Sequence, residues 1–159
     1  LNRKGFQFNS GQIKKALAAV VFPGRFEIFL ENPVVLIDGA HNSNGIQAFV
    51  NNMKQYFPNR TINLFFGMLE DKDIEESLSY LVPIASTIHT LTPNSDRAMP
   101  AEKMAALIHN TYGKSVDFYD TMEAAINSID LSKKDEVNVF VGSLYMIGEA
   151  RTLIRKNLL

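Results

Sequence analysis

The sequence lacks cysteine, an excess of charge and any long apolar run, and each absence removes a class of function. With no cysteine among 159 residues, the chain has no disulfide, thiol nucleophile or zinc–thiolate site, which fits a reducing compartment. A net charge of −1 gives no basic field for nucleic acid. No apolar run approaches the roughly 20 residues of a membrane helix, and the start has no signal-peptide pattern. We therefore expect a cytoplasmic protein without nucleic-acid or membrane partners.

Short apolar runs typical of strands alternate with helical patterns along most of the chain. A hydrophobic content of 46% is enough for one core, and 159 residues are most simply one domain. The apolar runs predict six strands, the first at a sheet edge: 26–30, 34–37, 61–66, 87–91, 116–119 and 137–141. The intervening patterns predict helices around 43–57, 100–113, 120–129 and 143–157. For the third of these, Asp120 with Glu123 resembles a capping pair. This alternation predicts an α/β, Rossmann-like fold, with a mostly parallel sheet and helices on both faces.

The first 24 residues differ in kind from the rest. A helical pattern around 11–21 ends at Phe22-Pro23-Gly24, and Pro-Gly is strong turn punctuation. We therefore predict that residues 1–24 form a linker helix and that residues 25–159 form the domain proper. The chain begins at Leu1 rather than at methionine, so we expect it to be a piece of a longer protein.

Polar residues cluster directly after the predicted strands, where an open α/β sheet binds its ligands. Four such loops, at 38–42, 67–73, 92–97 and 142–143, are expected to lie together at one edge of the sheet. The densest group is Asp38-Gly39-Ala40-His41-Asn42. One interpretation is a tight turn with a helix cap. The other is a ligand site, in which small residues let a ligand approach the backbone, Asp38 accepts hydrogen bonds from hydroxyl groups and His41 donates one to an anion.

Ser143, after the last strand, also has more than one interpretation. Together with His41 and Asp38 it has the composition of a serine triad, but a nucleophile elbow needs glycine two residues after the serine, where Tyr145 stands. A helix cap that meets an anion and plain capping both remain open.

Other signals are weaker. Tyr112-Gly113-Lys114-Ser115 resembles the end of a phosphate-binding loop, but position 108 is isoleucine where that motif needs glycine. Arg25 is suited to binding a phosphate, and Lys72 lies among acidic residues, although both are also ordinary surface charges. Asp38 and His41 alone are too few ligands for a metal, so we predict no metal site in this chain.

Five ordered motifs carry a family resemblance that covers nearly the whole chain. They are FPGRFE at 22–27, LIDGAHN at 36–42, GMLEDKD at 67–73, DRAMPAEKM at 96–104 and VFVGSLYMIGEAR at 139–151. In this order and spacing they resemble the C-terminal domain of folylpolyglutamate synthase, including the bifunctional dihydrofolate synthase forms, within the Mur ligase superfamily.

The resemblance implies an ATP-dependent ligase that adds L-glutamate to a folate or dihydropteroate carboxylate through an acyl phosphate. It implies that Arg25 and Asp38 bind nucleotide and that His41, Lys72 and Ser143 bind glutamate. It also implies ATP and Mg²⁺ as cofactors, both held mainly by an N-terminal domain outside this sequence. We expect a monomer that is inactive as an isolated domain. The alternative hypothesis is a free-standing module that binds a nucleotide or an amino acid at the same sheet edge.

Overall fold

A computed structural model describes residue 5 and residues 8–159 and contains one six-stranded sheet. The strands are β1 (Glu27–Glu31), β2 (Val34–Asp38), β3 (Thr61–Gly67), β4 (Thr87–Leu91), β5 (Asp117–Tyr119) and β6 (Glu136–Gly142). Their order across the sheet is β1-β2-β6-β3-β4-β5. Strand β1 pairs antiparallel with β2, and every other pairing is parallel. The predicted strands and the predicted edge position of the first are therefore confirmed.

Six α-helices accompany the sheet in the described part of the chain. They are α1 (Ser10–Ala18), α2 (Ser43–Tyr56), α3 (Ile74–Leu81), α4 (Ala101–Tyr112), α5 (Met122–Asn127) and α6 (Leu144–Asn157), with a short 3₁₀ turn at Val82–Ile84. None of these helices is long and apolar enough to cross a membrane.

The sheet buries apolar side chains on both faces, so its central strands are largely apolar. Alternate residues of β2 point to opposite faces: Leu36 joins a core with Phe49 of α2 and Leu78 of α3. Ile37 belongs to a second core with Ile126 of α5 and Ile147 of α6. Helices therefore cover both faces, and the predicted Rossmann-like α/β fold is confirmed.

The structure corrects three local predictions. Helix α3 was missed because it has only eight residues and follows a highly charged loop; its signals were Asp73, whose side chain caps Glu76 N–H, and apolar residues at Ile74 and Leu78. Helix α5 is capped by Thr121, which accepts a hydrogen bond from Ala124 N–H, rather than by the acidic residue before it. Helix α1 ends at Ala18 instead of continuing to residue 21, and none of its residues is buried.

Candidate functional site

A cavity of about 150 Å³ opens at the carboxyl ends of three neighbouring strands, β2, β6 and β3. It is lined by residues of the three loops that follow those strands: His41, Met68, Leu69, Lys72, Ser143, Leu144 and Tyr145. Because β6 lies between β2 and β3, the loop with Ser143 is placed between the loops that carry His41 and Lys72. Three predicted site residues, widely separated in sequence, are thus brought around one cavity.

Close packing of glycines fixes the spacing between two of these loops. Gly142 has a φ of 129°, which disfavours any residue with a side chain, and a Cβ added there would collide with the Gly67 carbonyl oxygen. The backbone N–H of Ser143 donates a hydrogen bond to the same oxygen at 2.9 Å. The Gly-Ser pair therefore anchors the start of α6 directly to the end of β3.

Ser143 has a buried hydroxyl group with no hydrogen-bond partner in the described part of the chain. The residue is 2% exposed, and its side chain makes no capping hydrogen bond to α6. Ser143 is the N-cap residue of α6, but the side-chain hydrogen bond of plain capping, one of the two interpretations left open by the sequence, is absent. Buried hydroxyls are normally satisfied, so an unpaired one beside a cavity indicates a place for a polar ligand atom.

His41 is held by the turn that precedes α2. Its Nδ1 donates a hydrogen bond to the Gly39 carbonyl oxygen at 2.8 Å, since a carbonyl can only accept. This leaves Nε2 as the ring nitrogen available to a ligand. Asn42 caps α2 through a 2.8 Å hydrogen bond from Gly45 N–H, so the predicted tight turn with a helix cap is confirmed, while the ligand site at this turn stays a prediction.

Asp38 is 8% exposed, and its carboxylate fastens the turn to the start of β1. One oxygen accepts the Phe26 N–H and the other accepts the Ala40 N–H, each at 2.8 Å. Burial raises the pKa of Asp38, and these hydrogen bonds and the charge of Arg25 oppose that rise. Because Asp38 bonds to backbone groups and His41 bonds to a carbonyl, no Asp–His pair orients a base for Ser143, and the serine triad is not formed.

Arg25 lies over the same turn, next to Asp38. Gly39 N–H donates a hydrogen bond to the Gly24 carbonyl at 2.7 Å, which brings the Pro-Gly-Arg segment against the turn after β2. A Cβ placed on Gly39 would lie 3.1 Å from Arg25 Nη1 and would collide with the Leu144 side chain. The exposed Arg25 guanidinium and the cavity lining are therefore neighbours across Gly39.

Lys72 lines the cavity from the loop between β3 and α3. Its side chain is 34% exposed, and Nζ lies 3.8 Å from the Asp71 carboxylate. The sequence left open an ordinary solvated charge in this loop; in the structure the side chain is partly buried and lines the same cavity as His41 and Ser143.

Four lining residues are not among the predicted site residues: Met68 and Leu69, which are buried, and Leu144 and Tyr145. Leu144 and Tyr145 differ from the other two in their exposure. They begin α6 and are 51% and 55% exposed, an unusual pair of large apolar side chains on the surface at a helix start. Their signal was present in the GSLY segment, which invited attention only to its serine. They give the cavity an apolar wall beside its charged and polar groups.

The described residues contain no group of three or more His, Asp or Glu side chains placed to hold a metal ion. The loop after β4, the fourth strand-end loop of the predicted edge, lines a separate cavity with the ends of β4 and β5. The charged and polar side-chain groups that line the first cavity are the Lys72 amine, the His41 imidazole and the hydroxyl groups of Ser143 and Tyr145.

This fold and this arrangement of loops define a known class of domain. The chain belongs to the family of Mur ligase, glutamate ligase domains, whose family model matches residues 24–144.

The names of its relatives within that family describe enzymes that act on folates. The chain is 30% identical over 159 residues to the dihydrofolate synthase/folylpolyglutamate synthase of Bacillus subtilis, covering 98% of this chain and 36% of the relative. It is 31% identical over 140 residues to the folylpolyglutamate synthase of Lacticaseibacillus casei, covering 87% of this chain and 31% of the relative. The folylpolyglutamate synthase of Mycobacterium tuberculosis, solved with ADP and AMPPCP, matches with a TM-score of 0.83 and 28% identity, over 95% of this chain and 36% of that one. The chain thus spans about a third of these relatives.

Proposed function

We propose that this chain is the glutamate-side domain of an ATP-dependent ligase that joins L-glutamate to a folate or dihydropteroate carboxylate. The observation that carries the proposal is the cavity where Lys72, His41 and the unpaired hydroxyl of Ser143 meet. A dicarboxylic amino acid fits these groups, because an ammonium and a hydroxyl group bind carboxylates. The names of the relatives that match nearly the whole chain support the same substrates.

The reaction requires activation, since a free carboxylate is a poor electrophile. A folate carboxylate oxygen attacks the γ-phosphorus of ATP and ADP leaves, which gives an acyl phosphate. The nitrogen of glutamate then attacks the acyl carbon, loses a proton, and expels phosphate as the amide forms. In this scheme Lys72 and Ser143 hold the glutamate carboxylates, and His41 Nε2 accepts a hydrogen bond from the amine when neutral or donates one to a carboxylate when protonated. Their share in catalysis is positioning and charge compensation.

On the nucleotide side we assign Arg25 and Asp38. The exposed guanidinium of Arg25 is free to approach phosphate oxygens, and the small residues Gly39 and Ala40 let the backbone come close to a ligand. The related enzyme of Mycobacterium tuberculosis was solved with ADP and AMPPCP. We place the remaining phosphate contacts and Mg²⁺ on a further domain of the full-length enzyme. One domain then offers only half of the site, and the isolated chain should catalyse no ligation.

Replacement of Lys72 by alanine in the full-length enzyme tests the proposal. The loss of an ammonium that binds a substrate carboxylate should raise KM for glutamate about tenfold, because a hydrogen bond to a charged group contributes about 1.5 kcal/mol. The measurement is steady-state kinetics with glutamate varied, beside ATP varied, whose KM should change little.

Lys103→Ala is the matched control. Lys103 is also a lysine that pairs with an acidic residue of the loop after β3, Glu70 at 2.9 Å, but it does not line the cavity. Its glutamate KM should stay within about twofold, as expected for an exposed ion pair. An unchanged KM in Lys72→Ala would remove Lys72 from the glutamate site.

A further inference from the structure

Asp71 lies between two cations and is engaged by only one of them. Arg97 Nη1 is 2.9 Å from Asp71 Oδ2, a hydrogen-bonding distance. Lys72 Nζ is 3.8 Å from the same oxygen, close enough for attraction but too long for a hydrogen bond. The arginine therefore holds the carboxylate that Lys72 would otherwise bind.

Backbone contacts hold Arg97 in this place. The loops after β3 and β4 run side by side: Glu70 N–H donates to the Arg97 carbonyl at 2.8 Å, and Leu69 forms an isolated bridge with Ala98. A second ion pair, Lys103 with Glu70, joins the same two regions at 2.9 Å. Arg97 is thus presented to Asp71 by a paired backbone and not by its side chain alone.

Neither Arg97 nor Asp71 lines the cavity, whereas Lys72 does. Arg97 can therefore affect the cavity in two ways: by binding Asp71, which lies next to Lys72, or through the long-range effect of its positive charge. The Arg97–Asp71 pair is also exposed, and such pairs add little to stability.

We propose that Arg97 is a positioning residue that keeps the Lys72 ammonium available to an anionic substrate by occupying Asp71. Without Arg97, the neighbouring carboxylate of Asp71 competes with the substrate carboxylate for Lys72, and the amine is drawn out of the cavity. This inference rests on the proposed function only in taking the ligand of Lys72 to be the incoming glutamate.

The first test compares Arg97→Ala with Lys72→Ala in the full-length enzyme. Arg97→Ala should raise KM for glutamate about three- to fivefold, the size of effect that a partly exposed ion pair produces. The value of kcat should hold, because the change affects binding and not the chemical step. If Lys72→Ala raises KM and Arg97→Ala does not, this inference is overturned while the proposed function stands. If Lys72→Ala itself has no effect, the proposed role of Lys72 fails and the inference falls with it.

Two double variants separate competition from a general field effect. Arg97→Ala with Asp71→Asn removes the competing carboxylate and should return KM to within about twofold of the parent enzyme. Arg97→Ala with Glu70→Gln has the same net charge, but Glu70 pairs with Lys103 instead of Lys72, so its KM should remain raised. Equal rescue by both would show that only the net charge matters, and rescue by neither would show a structural role for Arg97; either result overturns the proposal.

Discussion

Ser143 shows how one side chain can be costly for the fold and useful for the ligand. Its hydroxyl group is buried beside the cavity without a partner, although most buried hydroxyls find one. A ligand that enters the cavity can supply the hydrogen bond that this group lacks. The stability of the domain and the affinity of the site should therefore respond in opposite directions when the hydroxyl group is removed.

We predict that Ser143→Ala leaves the free energy of unfolding unchanged or raises it by up to about 1 kcal/mol, since it removes an unsatisfied polar group. In the full-length enzyme, KM for glutamate should rise about three- to tenfold through the lost hydrogen bond. Urea unfolding and steady-state kinetics measure the two effects.

Thr90→Val is the control for stability. The buried Thr90 hydroxyl donates a hydrogen bond to the Ala101 carbonyl at 2.8 Å, so its removal should cost about 0.5–1.5 kcal/mol. An equal loss of stability in Ser143→Ala would mean that its hydroxyl group has a structural partner after all.

At the scale of elements, Glu27 joins β1, the turn before it and α6. Its carboxylate accepts the Gly24 N–H at 2.7 Å and Arg151 Nε at 2.9 Å. Burial by itself would raise the pKa of Glu27, but the hydrogen bonds and charge of Arg151 and the Gly24 N–H lower it below the ordinary value of 4.5. The first and last motifs of the family resemblance, FPGRFE and VFVGSLYMIGEAR, are thus linked by the ion pair between Glu27 and Arg151.

We predict that Glu27→Gln lowers the free energy of unfolding by about 1–2 kcal/mol at pH 7, the contribution of a charge-assisted hydrogen bond. Because the pKa of Glu27 is lower in the folded state, its stabilisation is present above the unfolded pKa and is lost as pH falls through the folded pKa. The difference between parent and variant should accordingly shrink in acid. Urea unfolding of the parent and the variant, at pH 7 and near pH 3, measures this difference in the free energy of unfolding.

Glu31→Gln on the same strand serves as the comparison, since Glu31 is exposed. It should shift stability by less than about 0.5 kcal/mol, as most surface substitutions do. If Glu27→Gln lowers the free energy of unfolding by the same amount near pH 3 as at pH 7, the stabilisation comes from the packing of the side chain and not from its charge.

At the scale of the whole molecule, helix α1 stands apart from the core. It has a capping box at Asn9 and Gln12, but no residue of the helix is buried, and Leu17, Val21 and Phe22 are exposed. A helix of 9 residues gains little stability by itself. The linker role of this segment and the boundary after residue 24 both stay predictions.

Removal of residues 1–19 tests this organisation. The shortened chain retains Gly24, whose backbone contacts both Glu27 and Gly39. Since α1 buries nothing, we expect the free energy of unfolding to change by less than about 1 kcal/mol. Urea unfolding of the shortened chain and of the 159-residue chain measures this change. A decrease of several kcal/mol in the free energy of unfolding would show that α1 is part of the domain.

Much of the fold followed from local patterns. Each strand was predicted to within two residues, because apolar runs bounded by turn residues are local signals. The errors were also local. Helix α3 is short and starts in a charged segment, and the cap of α5 is Thr121 instead of the predicted acidic pair. The site was predicted as a set of loops, and the structure places three of them around one cavity.

The sequence alone determined all six strands, most of the helices, the family and the chemistry of the side chains at the strand ends, because these depend on residue type and short-range spacing. Only the tertiary structure decided that β6 lies between β2 and β3, which brings Ser143 between His41 and Lys72. It also decided that the Ser143 hydroxyl group lacks a partner and that Arg97 occupies Asp71. Strand order and hydrogen-bond partners depend on contacts between residues far apart in the chain, and no local periodicity records them.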